Sequence, residues 1–213
     1  MSTRALRLTL VPILALTLLG LSTGAAAART EAAPEPARPA GSSIGYDISY
    51  PQCGGEYPKN AAFAIVGVNG GLVHKPNPCL GADGDGDSQL AWAGKEAGLY
   101  MNTGNPGPEL SSYWPIGQTS PRVCSADDPD TVDCAYDYGW NAAADAYRTA
   151  LAAYVSLGWA DAGAERTPVA NVWWLDVETA NSWRDDPVLN VAALQGMVDY
   201  LESMDVAGVG FYS

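Results

Sequence analysis

Hydrophobic and polar positions along this chain switch between two periods. Ile44–Ser49, Phe63–Asn69, Leu99–Thr103, Val169–Val177 and Gly208–Ser213 are short runs bounded by turn residues. Each predicts a β-strand. Val169–Val177 is apolar almost throughout, as a strand covered on both faces should be. Gln89–Ala97 predicts a short helix. In Asp137–Gly158, the residues Trp140, Ala144, Tyr147, Leu151, Tyr154 and Gly158 recur at helical spacing, which predicts a long amphipathic helix. Asp186-Pro187 supplies an N-cap and a first-turn proline for a last helix, with an expected apolar stripe of Val191, Leu194, Val198 and Leu201. Between them, residues 104–134 are rich in Gly, Pro and Ser and predict a long loop, a length usually tied to function or to a staple.

Strands alternating with helices predict an α/β fold with a parallel sheet. Right-handed crossovers leave an open doubly wound sheet or a (β/α) barrel. No G-x-G-x-x-G or P-loop sequence supports a nucleotide-binding fold. The expectation is a TIM-barrel-like α/β domain over residues 42–213, truncated after its fifth strand, because the sequence stops on a β-type run.

The amino terminus changes the compartment. Arg4 and Arg7 precede an uncharged apolar run, Leu8–Leu21, and small residues follow at Gly24–Ala28. A basic, an apolar and a small-residue region in that order read as a secretory signal peptide, residues 1–28. A membrane anchor would need roughly 20 apolar residues. Residues 29–41 are Ala/Pro-rich and read as a disordered leader. The expected location is therefore secreted, with cell-wall association possible and no membrane attachment after cleavage.

Charge and cysteine content narrow the chemistry. The chain carries 11 Lys+Arg against 24 Asp+Glu, a net charge of −13. Such a surface repels phosphate backbones and argues against nucleic acid as a partner. Cys53, Cys79, Cys124 and Cys134 make an even count, which in an exported chain implies two disulfides and allows three pairings. Cys53–Cys79 with Cys124–Cys134 is favoured, since each pair closes one region locally. Zinc is disfavoured: there is no C-x-x-C, and the one histidine, His74, reads as a polar residue of another loop. Asp83-Gly84-Asp85-Gly86-Asp87 resembles the start of a calcium loop, but Ser88 and Gly94 occupy positions that need Gly and Glu. No metal and no cofactor are expected.

In a parallel α/β fold the C-terminal ends of the strands gather where sites are built. The first strand places Asp47 there, and the fourth places Asp176 and Glu178. Strand alternation puts Asp176 and Glu178 on one side, roughly 7 Å apart at Cβ. Two close carboxylates split their proton affinities, which suits glycosidic acid catalysis. Asn69, Asn102 and Tyr212 fall near the same ends and are candidate substrate-binding residues. The rival reading is a solvated or loop-capping D-x-E.

The segment GYDISYPQ, Gly45–Gln52, resembles the opening strand of glycoside hydrolase family 25, the secreted N-acetylmuramidases, with their G-x-D-x-S-x-x-Q pattern. LDVE, Leu175–Glu178, resembles that family's D-x-E strand. The chain is similar also to secreted actinobacterial glycoside-hydrolase-like proteins with VNGG and CAYDYGWN segments. The resemblance implies Glu178 as general acid, Asp176 as the group that stabilises developing positive charge or orients an N-acetyl group, and Asp47 as the completion of the acidic cluster. Tyr212 would hydrogen-bond near the scissile sugar, and Trp183 would stack on it. The implied partner is a polysaccharide, peptidoglycan or another N-acetylated chain. Asn69 stands where a carboxylate is usual, and the insertion carrying Cys124 and Cys134 is atypical. Two functions follow as expectations: a secreted glycoside hydrolase, or a catalytically inactive barrel that binds cell-wall glycan or a surface partner.

Overall fold

A computed structural model describes residues 44–81, 88–163 and 167–213. The expected signal peptide and leader and the Asp83–Asp87 segment lie outside the described residues.

Five strands form one sheet: β1 (Tyr46–Ile48), β2 (Ala64–Gly67), β3 (Gly98–Asn102), β4 (Val172–Asp176) and β5 (Gly208–Tyr212). All neighbours are parallel and the order is β1-β2-β3-β4-β5. That order never turns back on itself. A doubly wound sheet reverses at a switch point, so it does not describe these five strands.

The helices are α1 (Gln89–Ala93), α2 (Val132–Ser156) and α3 (Pro187–Ser203). Helix α2 begins five residues ahead of the expected Asp137, inside the expected loop. Thr131 caps it by accepting from the Cys134 N–H, with Asp133 in the first turn. Asp186 caps α3 as expected, accepting from the Val188 N–H. The expected stripe on α3 holds at Leu201, which is buried, and at Leu194 and Val198, which pack against the core, but not at Val191, which is 63 % exposed; the buried positions are Leu189, Ala192, Ala193, Gly196, Met197 and Leu201. The reason is α2. Gly139 on α2 and Gly196 on α3 let the backbones touch, since a Cβ on either would stand 1.8 Å or 2.0 Å from a carbonyl oxygen of the other helix. The close approach at these two glycines sets which face of α3 turns toward α2.

One face of the sheet carries the core. Ile48, Val66, Val68, Leu99, Met101, Trp173 and Leu175 pack against Tyr147, Tyr154, Met197 and Leu201 of the helices. Trp173 is fully buried and stacks on Tyr147 at 5.9 Å; truncating a ring so placed costs about 3–5 kcal/mol. The opposite face carries the chemistry described below.

The disulfides are Cys53–Cys79 and Cys124–Cys134, as favoured from the sequence. Cys53–Cys79 ties the turn after β1 to the segment before α1. Cys124–Cys134 pins the insertion to the first turn of α2, around a second small core of Trp114, Tyr136 and Tyr138. Among the described residues no helix is long and apolar enough to cross a membrane.

Candidate functional site

Register sorts the side chains of the opposite face into layers. Asp47 pairs with Ile65, and Ile65 with Gly98. Gly67 pairs with Tyr100, Tyr100 with Trp174, and Trp174 with Gly210. Asn102 pairs with Asp176, and Asp176 with Tyr212. The glycines have a use here. A Cβ at Gly67 would meet the Tyr100 ring at 2.6 Å, and one at Gly210 would meet the Trp174 ring at 2.6 Å. Strand glycines thus make room for an aromatic layer, and the polar layer sits on top of it at the strand ends.

That polar layer is one connected network. Asn102 Nδ2 donates to Asp176 Oδ2 at 2.9 Å. The Asn102 N–H donates to Asn69 Oδ1 at 3.0 Å. Thr103 Oγ1 and Asn181 Nδ2 both donate to the Asp176 carbonyl, which fixes the β4 end from two sides. Tyr100 and Tyr212 meet edge to face at 5.7 Å. The Tyr100 hydroxyl also hydrogen-bonds Ser49.

Asp176 is the most perturbed carboxylate of the layer. It is 4 % exposed, and its Oδ1 is buried without a hydrogen-bond partner. Burial pushes its carboxyl up to about 6, Glu178 and Asp47 push the same way, and the Asn102 bond pulls it down. The tyrosines respond to the same field. Burial raises Tyr212 strongly, and the charges of Asp176, Asp47 and Glu178 add to it. Burial raises Tyr100 too, against the Ser49 bond, with the same three carboxylates adding to the rise. Asp47, Asp176, Glu178, Tyr100 and Tyr212 therefore share one electrostatic environment.

The other expected site residues fall as follows. Glu178 is exposed, just beyond β4 on the extension that Val177 continues by donating its N–H to the Tyr212 carbonyl at 2.8 Å. Asn69 is in the layer, but its Oδ1 is spent on the Asn102 backbone, so it acts as a fastener. Trp183 Nε1 donates to the Glu178 carbonyl at 2.8 Å, and its ring lines a hollow with Pro106, Asp130 and Arg184 beside the insertion. It is a brace for the Glu178 loop. Gln52, part of the G-x-D-x-S-x-x-Q pattern, is also structural: its Oε1 accepts from the Ser49 N–H at 2.8 Å and closes the turn after β1.

Sequence reading passed over Tyr100 as a site residue. Strand parity links it to Asn102, and that was the available clue. His74 is a loop residue as expected, and its side chain is 2 % exposed. His74 Nδ1 pairs with Asp145 of α2, a contact across 71 positions that no local pattern encodes.

Among the described residues no cluster of three or more His, Cys, Asp or Glu side chains could hold a metal ion. No protein-family model, no curated protein and no solved structure matches this chain.

Proposed function

We propose that this chain is a secreted glycoside hydrolase of (β/α)-barrel type, acting on peptidoglycan or another N-acetylated polysaccharide. The observation that carries the reading is Asp176: a buried carboxyl, held at one oxygen by Asn102, bare at the other, raised to about 6 and coupled to Glu178 two residues on. Glycosidic cleavage needs a proton donor beside a carboxylate that meets positive charge at the sugar. Two carboxyl groups two residues apart at the end of one strand can divide these roles between them. Glu178, exposed at the rim, would deliver the proton to the leaving oxygen. Asp176 Oδ1 would accept from a substrate acetamido N–H or face the developing cation. Tyr212, kept neutral, would donate a hydrogen bond without adding charge.

The sequential, unreversed strand order supports a barrel wall, whose sites lie at the strand C-terminal ends. The two disulfides and the amino-terminal signal-peptide pattern support export. The similarity of Gly45–Gln52 and Leu175–Glu178 to family 25 muramidases points to the same substrate class. The test is the release of reducing ends from purified peptidoglycan by the wild type and by Glu178→Gln. The expected result is release by the wild type and loss of at least about a hundredfold in the variant. Equal release by both overturns the role of Glu178.

A second reading, a glycan-binding barrel without catalysis, is favoured by Asn69, whose carboxamide stands at a position where the resembled family has an acid. The same assay separates the two, because a binding protein would release no reducing ends.

A further inference from the structure

Asp176 is gripped by residues from two neighbouring segments. Asn102 stands opposite it in the β3–β4 register and donates from Nδ2 to Oδ2 at 2.9 Å. Thr103, the next residue, donates from Oγ1 to the Asp176 carbonyl. Asn181, in the loop after β4, donates to the same carbonyl at 2.9 Å. With its main chain held twice and one carboxyl oxygen tied, the Asp176 side chain has a fixed orientation.

Asn102 is itself held in place. Its strand lies between β2 and β4, and its N–H donates to Asn69 Oδ1 at 3.0 Å. A carboxamide also has a fixed polarity. Its nitrogen only donates, whereas a hydroxyl at this position could turn and accept. The sequence suggests Asn102 as a sugar ligand, but in the structure its amide bonds to the acid beside it.

The surroundings of Asp176 oppose a negative charge. Burial raises its proton affinity most, Glu178 beyond the same strand and Asp47 on β1 add to the rise, and the Asn102 bond works against them. Tyr100 on β3 and Tyr212 on β5 face the same group, and both are raised above the ordinary tyrosine value, so they stay neutral near pH 7. Among the described residues no Lys, Arg or His forms an ion pair with Asp176. Its charge is met by a neutral donor instead. That suits glycosidic cleavage. A cation here would also hold the carboxylate, but it would repel the positive charge that develops on the sugar.

We propose that Asn102 is a positioning residue of the acidic site, fixing the Asp176 carboxyl and stabilising its negative charge through one uncharged donor. Asn102 acts through Asp176 and needs no contact with substrate. The inference rests on the hydrolase reading for the use to which that charge is put. A hydrogen bond to an ionised acceptor is stronger than one between neutral groups. Its loss therefore favours the protonated carboxyl and moves the midpoint upward, by about one pH unit for one bond.

The experiment compares the wild type with Asn102→Ala and Asn102→Asp. The second variant keeps the shape of the side chain and replaces the donor by a carboxylate. The carbon-13 carboxyl resonance of Asp176, assigned by its loss in Asp176→Asn, is titrated from about pH 4 to 9. The kcat/KM on purified peptidoglycan is followed over the same range. The midpoint is expected to rise from about 6 in the wild type by about one unit in Asn102→Ala, and further in Asn102→Asp, where a like charge faces Asp176. The rising limb of kcat/KM moves with it. A merely structural role would lower kcat/KM equally at every pH and leave both midpoints in place, and that result overturns the proposal. If Asn102→Ala fails to fold, Asn102→Asp decides alone: a midpoint unmoved or lowered overturns it. Midpoints that move as expected, in a wild type that releases no reducing ends, remove the hydrolase reading and keep the hold of Asn102 on Asp176. Hydrolysis with unmoved midpoints keeps the hydrolase reading and removes the role of Asn102.

Discussion

Asp176→Asn separates the stability cost of the site from its function. Asn is isosteric and can still accept from Asn102 Nδ2, while its amide imitates the protonated carboxyl. The Asp176 carboxyl moves from an ordinary value of 3.8 to about 6 on folding. Roughly two pKa units at 1.36 kcal/mol each make about 3 kcal/mol. The sign follows from which state holds the proton. Between about pH 4 and 6 the folded chain binds more protons than the unfolded one, so the wild type loses stability as pH rises through that window. At low pH the neutral carboxyl costs nothing, and above about pH 7 the penalty is fully developed. Between about pH 4.5 and 7.5 the wild type therefore loses about 2 kcal/mol that the variant does not. Urea unfolding of both proteins at the two pH values measures this difference, and the other carboxylates cancel in the comparison. At about pH 7.5 the variant melts higher by roughly 4–12 °C, although it removes a site carboxylate. Equal pH dependence in the two proteins would refute the reasoning, because it would mean that Asp176 is not strained by its surroundings.

Three further outcomes are expected. The hydrolytic rate rises as pH rises through about 6, where Asp176 becomes the carboxylate that faces the developing cation, and a pH profile of kcat/KM with a flat line from about pH 5 to 8 would contradict that role. Gly139→Ala destabilises by about 3 kcal/mol in chemical unfolding, since its Cβ would lie 1.8 Å from the Ala193 carbonyl oxygen and the two helices must part. Arg184→Ala breaks the two-pronged pair with Asp130, at 2.9 and 2.6 Å, that ties the β4–α3 loop to the insertion. The pair is partly exposed, so global stability drops by under about 1 kcal/mol, but limited proteolysis cuts the insertion faster than in the wild type.

Much of this layout was legible in the sequence because it depends on short-range rules. Strand parity put Asp176 and Glu178 on one side and strand ends put Asn102 and Tyr212 near them, while the register that pairs both with Asp176 came from the sheet. Pairing of nearest cysteines gave both disulfides. The Asp186-Pro187 start of α3 follows from capping alone. What escaped depends on contacts between elements. The covered face of α3 is set by close glycine contacts with α2, so Val191, at the edge of the apolar stripe, is left exposed. The start of α2 was hidden because the insertion's turn residues run directly into the Thr131 cap. The burial of His74 was not legible because it comes from Tyr113, Tyr138 and Asp145, on two other segments. Asn69 and Trp183 were read as substrate-binding residues, and the sequence could not show the hydrogen bonds that tie them to the Asn102 backbone and the Glu178 carbonyl.

The central proposal is that water cleaves a glycosidic bond at the Asp176–Glu178 pair. Digestion of purified peptidoglycan in oxygen-18 water, followed by mass spectrometry of the soluble products, tests it most directly. The account predicts label on the new reducing-end sugar with wild type and none with Glu178→Gln. Label only on peptide carboxylates, or no labelled product from the wild type, would contradict it.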